Sequence, residues 1–550
     1  MLPAALPTTM RSISLCLACL LGAATLAPSP ESAPHAWNFA PIDAAAAAVN
    51  AEAPSATGGI AWQKGDVDAA FAAAKTANKP VFLYWGAVWC PPCNQVKATI
   101  FDRQDFIDRS RFFVPVYIDG DSPSAQRLST RFKVVGYPTM ILFKPDGTEI
   151  TRLPGEVDAD QYMRVLAIGM NGARPVKDTL AAALAPGGRL SADEWRLLAY
   201  YSWDTDEQQV LARDKVAATL QRLAQACPAD QRETCKRLEL KALAVASMTA
   251  GAKPRDDKAA VEHVLKLLAE PGFARANFDL VVYYSSVITR LVTLPKSAER
   301  AQLTAAFNAA LEQLGAATTL STSDRLSTLD AQITLARQDA PKAALPDALQ
   351  AKVRAQVARV DRETTDPYAR QAVISGAAQV LAEAGMRDAS DAMLKAELTR
   401  SHSPYYYMLG LAANAKARGD KPAALDWYEK AYAAADGPAT RLQWGASYVN
   451  ALIDLSPQDT ARIDRATKSI IGELEPAPDT FYGRNQRALE KMSRNLAAWD
   501  KDRHDPQRDA TLKRLRAQMA AVCFQLPAAD PARASCDAVL RAAPDALAKS

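Results

Sequence analysis

From Val81 to Trp85 five apolar side chains follow one another without a polar break. From about residue 173 onward apolar positions recur every three or four residues instead. The first pattern is that of a strand covered on both faces, the second that of helices buried along one stripe.

Between residues 59 and 171 the pattern alternates. Asp66 caps a helix that runs to Thr76 and stops at Asn78-Lys79-Pro80. The Val81–Trp85 strand leads into a helix through Val96 and Ile100. Arg111 to Asp119 is a second strand, and Ser124 to Phe132 a second helix. Thr139–Phe143 and Thr148–Leu153 form a hairpin turned by Lys144-Pro145-Asp146-Gly147. Asp158 opens a last helix through Gly169, with Gln161 placed to close a capping box. Pro115 inside the second strand argues for a sheet edge, so Ile60-Ala61-Trp62 is expected to pair weakly at most. The fold class is therefore an α/β domain with a sheet covered on both faces, followed by a large all-α domain over 172–550.

The helical remainder has marked starts. Ser191 and Glu194 form a capping box, and Leu190 can staple onto Trp195. In residues 404–438, Met408, Leu411, Ala412 and Ala415 line one helix, Gly419 breaks the chain, and Ala424, Tyr428, Ala431 and Ala435 line the next. This hairpin resembles a tetratricopeptide unit, and the region reads as a solenoid-like domain with degenerate repeats. Tyr405, Tyr406 and Tyr407 at this spacing read as packing between neighbouring helices in preference to a peptide groove.

Sixty-five basic and 61 acidic residues give a net charge of +4 in 550 residues, without a polybasic block. That balance argues against nucleic acid and anionic membranes as partners. Arg11 precedes an apolar run from Ile13 to Leu26, shorter than the roughly 20 residues of a membrane span. The reading is a secretory signal over 1–27, then an Ala/Pro/Ser-rich linker over 28–58, and an exported, periplasmic protein. Without Cys16 and Cys19 of that signal, six cysteines remain in three local pairs: Cys90 with Cys93, Cys227 with Cys235, and Cys523 with Cys536. The last two pairs are candidate structural disulfides, as suits an oxidising compartment.

The first pair lies in Trp89-Cys90-Pro91-Pro92-Cys93, directly after the buried strand. A zinc site would need two further ligands, and His35, His263, His402 and His504 all fall outside this segment, so no metal is expected. Two cysteines at a helix start can close a disulfide within one turn. There the helix dipole and unpaired N–H groups favour a thiolate on Cys90. Neither Pro91 nor Pro92 adds charge, which favours a reductant nearer about −270 mV than about −120 mV.

With Gly136-Tyr137-Pro138-Thr139 before the hairpin, this order of elements resembles thioredoxin. Within that superfamily it is most similar to the C-terminal periplasmic domain of membrane thiol–disulfide interchange proteins. The resemblance covers residues 59 to 171. It implies that Cys90 is the exposed nucleophile and Cys93 the buried resolving cysteine. Pro138 would be a cis proline facing the disulfide, Tyr137 would offer backbone groups to a client strand, and Trp89 would shield one side. It also implies protein disulfides as substrates, a membrane electron donor, and no prosthetic cofactor beyond the dithiol. Six residues before Cys90, where thioredoxins carry a buried Asp, stands Tyr84, and Pro115 replaces the lysine paired with that Asp. The resulting expectation is an exported thiol–disulfide oxidoreductase whose helical domain recruits partners. The alternative is a helical scaffold carrying a redox-sensitive module of little turnover.

Overall fold

The computed structural model describes residues 59–541 except 123, 156, 204, 205, 207–209, 250 and 502–504. The expected signal and linker, with Cys16, Cys19 and His35, lie outside the described residues, as does His504.

The first part is a five-stranded sheet in the order β1-β3-β2-β4-β5, with β1 (Gln63–Lys64), β2 (Val81–Gly86), β3 (Val114–Asp119), β4 (Thr139–Phe143) and β5 (Glu149–Leu153). Strands β1, β3 and β2 run parallel, and β4 and β5 run antiparallel to their neighbours. Every residue of β2 is buried, as its unbroken apolar run requires. Helices α1 (Val67–Ala77), α2 (Pro91–Val96), α3 (Gln104–Ser110), α4 (Ala125–Arg131) and α5 (Ala159–Met170) cover the faces, and a π-helical turn Lys97–Phe101 extends α2.

Two expectations, the sheet edge and the capping box, are corrected. Strand β3 is not an edge: β1 pairs with it, but only at Val116 and Tyr117, just past Pro115, whose missing N–H could not serve that ladder. In keeping with weak pairing at most for Ile60-Ala61-Trp62, Trp62 takes no part in the ladder; it packs on Phe82, Tyr84 and Phe101 with ring centroids 5.3–6.2 Å apart. Gln161 does not close a capping box. Asp158 caps α5 through the Asp160 N–H, while the Gln161 carbonyl accepts from Arg196 and the Tyr200 hydroxyl of the next segment.

From Val176 to Ala538 the chain is helical among the described residues. The Ser191–Glu194 capping box is formed. The Pro404–Arg418 and Lys421–Ala434 helices pack as the expected hairpin, with Gly419 at φ 82° closing the first. Tyr405 and Tyr407 are buried between helices. Cys227–Cys235 and Cys523–Cys536 are disulfides, each joining two consecutive helices across a short connection.

The helical part is not a separate bead. Tyr405, Leu409, Ala431, Ala435 and Trp444 belong to the same continuous buried cluster as Trp85 and Leu142 of the sheet. Nearby, buried Arg237 donates 2.7 and 2.9 Å hydrogen bonds to Asp279, with Tyr200 under its guanidinium. Burial pushes the Asp279 carboxyl upward, but the Arg237 charge and hydrogen bonds outweigh that and hold it below the ordinary range.

Asp279→Ala is expected to lose about 3–5 kcal/mol in chemical denaturation, because it strands a buried guanidinium. Arg237→Met with Asp279→Leu is expected to recover most of that loss. The contribution of Asp279 should be full above its unfolded pKa of about 3.9 and fade as pH falls below it.

Candidate functional site

Strand β2 ends at Gly86, and the loop Ala87–Trp89 carries the chain to Cys90, which is the N-cap of α2. Pro91 and Pro92 occupy the first turn, where a missing N–H costs nothing. Cys90 and Cys93 are joined in a disulfide, with Cα atoms 5.2 Å apart. The Cys93 N–H donates to the Cys90 sulfur at 3.2 Å, and Asn94 Nδ2 donates to the carbonyls of Val88 and Cys90, fixing the loop. The Tyr137–Pro138 peptide is cis.

Behind Cys93, Tyr84 stands where a carboxylate was missed, its hydroxyl 3.5 Å from the Cys93 carbonyl oxygen and its pKa raised first by burial and then by Asp119. The ionisable pair of this region is instead Lys97 and Asp119, which sequence reasoning overlooked. Burial lowers Lys97 and raises Asp119, while the charge of each opposes the shift of the other. The available signal was the spacing of Lys97, one helical turn after Cys93.

The expectation of an exposed Cys90 is overturned. Cys90 is 1% exposed and Cys93 0%, because the helical part lies over the motif. Tyr406 stacks on Trp89 with centroids 5.9 Å apart, Trp444 meets the same ring edge-on at 5.2 Å, and the Arg484 guanidinium lies over both Trp89 and Tyr137. Gln371 Nε2 donates to the Trp89 carbonyl at 3.0 Å, and Gln95 Nε2 donates to Asp324 at 2.8 Å. Tyr137 is buried under this cover, so it does not present an open strand edge; Pro138 and Pro92 are partly exposed.

Asp121 ties the two parts together. Its carboxylate accepts the Trp89 indole N–H at 3.0 Å, the Thr440 N–H at 2.7 Å and the Thr440 hydroxyl. Thr440 lies in the first turn of the Pro438–Leu455 helix, whose own N-cap, Gly437, has no side chain to offer. A Cβ at Gly437 would come within 2.9 Å of Asp121, so the glycine is what admits the cap from the other domain. Gln126 repeats the device: its side-chain oxygen accepts the N–H groups of Arg484 and Asn485 at the start of the Gly483–Lys501 helix. Burial, with Asp119 adding to it, raises the Asp121 carboxyl to about 6 against the pull of its Thr440 and Trp89 hydrogen bonds.

Comparison with known proteins bears on the sheet-containing part of the chain. A family model described as "Thioredoxin-like domain" matches residues 67–168. The chain is 30% identical over 156 residues to "Thiol:disulfide interchange protein DsbD 2" of Pseudomonas aeruginosa, covering 27% of this chain and 26% of that protein. It is 32% identical over 132 residues to "Thiol:disulfide interchange protein DsbD 1" of the same organism, covering 22% of this chain and 21% of that protein. The chain thus spans about a quarter of the length of these two curated relatives. Against "Thioredoxin" of Mycobacterium tuberculosis it is 33% identical over 102 residues, 18% of this chain but 83% of the relative. With a thioredoxin matched at 33% identity over most of its length, and with Cys90 capping α2 and joined to Cys93, the chain belongs to the thioredoxin family.

Proposed function

We propose that the protein is an exported thiol–disulfide oxidoreductase that reduces protein disulfides through Cys90 and Cys93. The observation that carries this reading is the Cys90–Cys93 disulfide at the N-terminus of α2, with the neighbouring Trp89 ring packed on Tyr137 of the cis Tyr137–Pro138 peptide. In the reduced chain, the Cys90 thiolate attacks one sulfur of a client disulfide, forming a mixed disulfide and releasing one client thiolate. The Cys93 thiolate then attacks the Cys90 sulfur, restoring the Cys90–Cys93 disulfide and releasing the second client thiolate. Two electrons pass to the client, and a membrane dithiol donor re-reduces the pair. No prosthetic group is needed for either step.

In this reading residues 59–171 form the redox domain and 172–550 the partner-recruiting domain. Pro91 and Pro92 set the motif, while Trp89, Tyr137 and Pro138 form the wall beside the disulfide. Export after removal of residues 1–27 is supported by the Cys227–Cys235 and Cys523–Cys536 disulfides, which suit an oxidising compartment. The burial of Cys90 favours a second reading, a scaffold whose redox module turns over little. The two are separable.

The first test incubates the reduced full chain carrying Cys93→Ser with insulin. A one-to-one mixed disulfide through Cys90, absent when Cys90→Ser is added, is expected by mass spectrometry; no adduct from a chain whose Cys90 does react with a small alkylating agent would support the scaffold. A second test concerns access. Asp121→Ala leaves the Trp89 and Thr440 donors unpaired, a loss of about 1 kcal/mol or more for a missing cap. Alkylation of Cys90 in the reduced chain is therefore expected to accelerate about fivefold. An unchanged rate would mean that this clasp does not control access.

A further inference from the structure

The motif is sealed on its Trp89 side, but the Pro91–Pro92 side opens into a cleft of about 620 Å³, part of it shared with solvent. One wall is Pro91, Pro92, Gln95 and Gly155 of the redox domain. The opposite wall is the Thr322–Ala336 and Pro367–Glu383 helices. Ser323, Leu326, Ser327 and Asp330 fall at intervals of three and four residues, so one face of the first helix looks into the cleft. From the second helix Val373 and Val380 add apolar wall.

The polar side chains of that face differ in one respect. Ser323 donates to the Ala372 carbonyl and Ser327 to the Ser323 carbonyl, so both are satisfied within the protein. Asp330 has neither a hydrogen-bond nor an ion-pair partner among the described residues. The charge that acts on it is that of another acid, Glu383, and burial together with Glu383 raises its carboxyl to about 7. Asp330 is partly exposed and looks into the cleft beside a like charge, a setting that favours a cation close by. Among the described residues none is present. Asp324 lies behind Gln95 and does not line the cleft; its carboxylate is already engaged by Gln95 and Ser321.

We propose that this cleft binds a lysine or arginine side chain of the client next to its disulfide cysteine, with Asp330 as the counter-charge. This rests on the oxidoreductase reading and names the class of client. The two prolines, Leu326, Val373 and Val380 suit the methylene stem, and Asp330 takes the charged head. Because the cleft borders the motif itself, the basic residue must lie close in sequence to the client cysteine. The pocket therefore acts on specificity, and neither sulfur depends on it for the exchange step.

The test uses disulfide-bearing peptides in which lysine or norleucine is placed at each of three positions on either side of the cysteine. Norleucine keeps the apolar stem and lacks the charge. Binding is read by fluorescence anisotropy on the full chain with Cys90→Ser and Cys93→Ser. At one position lysine is expected to bind about tenfold or more tighter than norleucine, as for a charge-assisted hydrogen bond. Asp330→Asn is expected to abolish that difference. Equal affinity at every position would overturn the proposal, as would a lysine preference that survives in Asp330→Asn. The peptide comparison on the chain with Asp330 intact decides the matter even if Asp330→Asn fails to fold. Reduction of the same peptides by the chain with both cysteines is measured separately. Peptides bound with preference but never reduced would remove the oxidoreductase reading and keep the pocket; peptides reduced without preference would remove the pocket alone.

Discussion

The carboxylate of Asp121 holds this molecule in its observed form. A helix begins with N–H groups that no residue of its own can satisfy, and those groups need acceptors wherever they are buried. The Pro438–Leu455 helix starts from a glycine, so its acceptor comes from the loop after β3, and the same acceptor takes the indole N–H of Trp89. One side chain thereby joins the redox loop to the helical domain. Gln126 does the same for the Gly483–Lys501 helix a few residues on. Around these caps the aromatic contacts of Trp89 with Tyr406, Trp444 and Tyr137 follow, and so does the burial of Cys90.

This explains why some of the structure could be read from the sequence and some could not. Strand β2, the cysteines at the start of α2 and the β4–β5 hairpin rest on local signals: a continuous apolar run, a Cys-x-x-Cys at a helix start, and a Pro-Asp-Gly turn. Each carries its own physics within about ten residues. The hairpin around Gly419 was legible for the same reason. The cover over Cys90 was not, because it is built from residues more than 280 positions away, such as Gln371 and Thr440. A helix beginning at Gly437 shows no capping signal in sequence, since its cap is on another element. Gln161 failed in the converse way: it matched a local capping box, but stronger partners in the next segment, Arg196 and Tyr200, claimed its side chain. The three tyrosines at 405–407 illustrate both cases. Two of them pack between helices as their spacing suggests, and Tyr406 turns instead to Trp89.

The cover also sets the chemistry of the cysteine pair. A thiolate at a helix N-terminus is favoured by the dipole and by free N–H groups, but a thiolate buried among apolar rings is disfavoured by lost hydration. With Cys90 almost without exposed surface, the second effect opposes the first, and the two residues between the cysteines, Pro91 and Pro92, carry no charge to compensate. Lifting the cover would therefore do two things at once. It would admit a reactant, and it would return water to Cys90, where hydration favours a thiolate. Access and nucleophilicity are then the same event. A thioredoxin site that is permanently open has no such coupling; here the contacts of Trp89 and Asp121 with the helical domain place the pair under that domain in the structure.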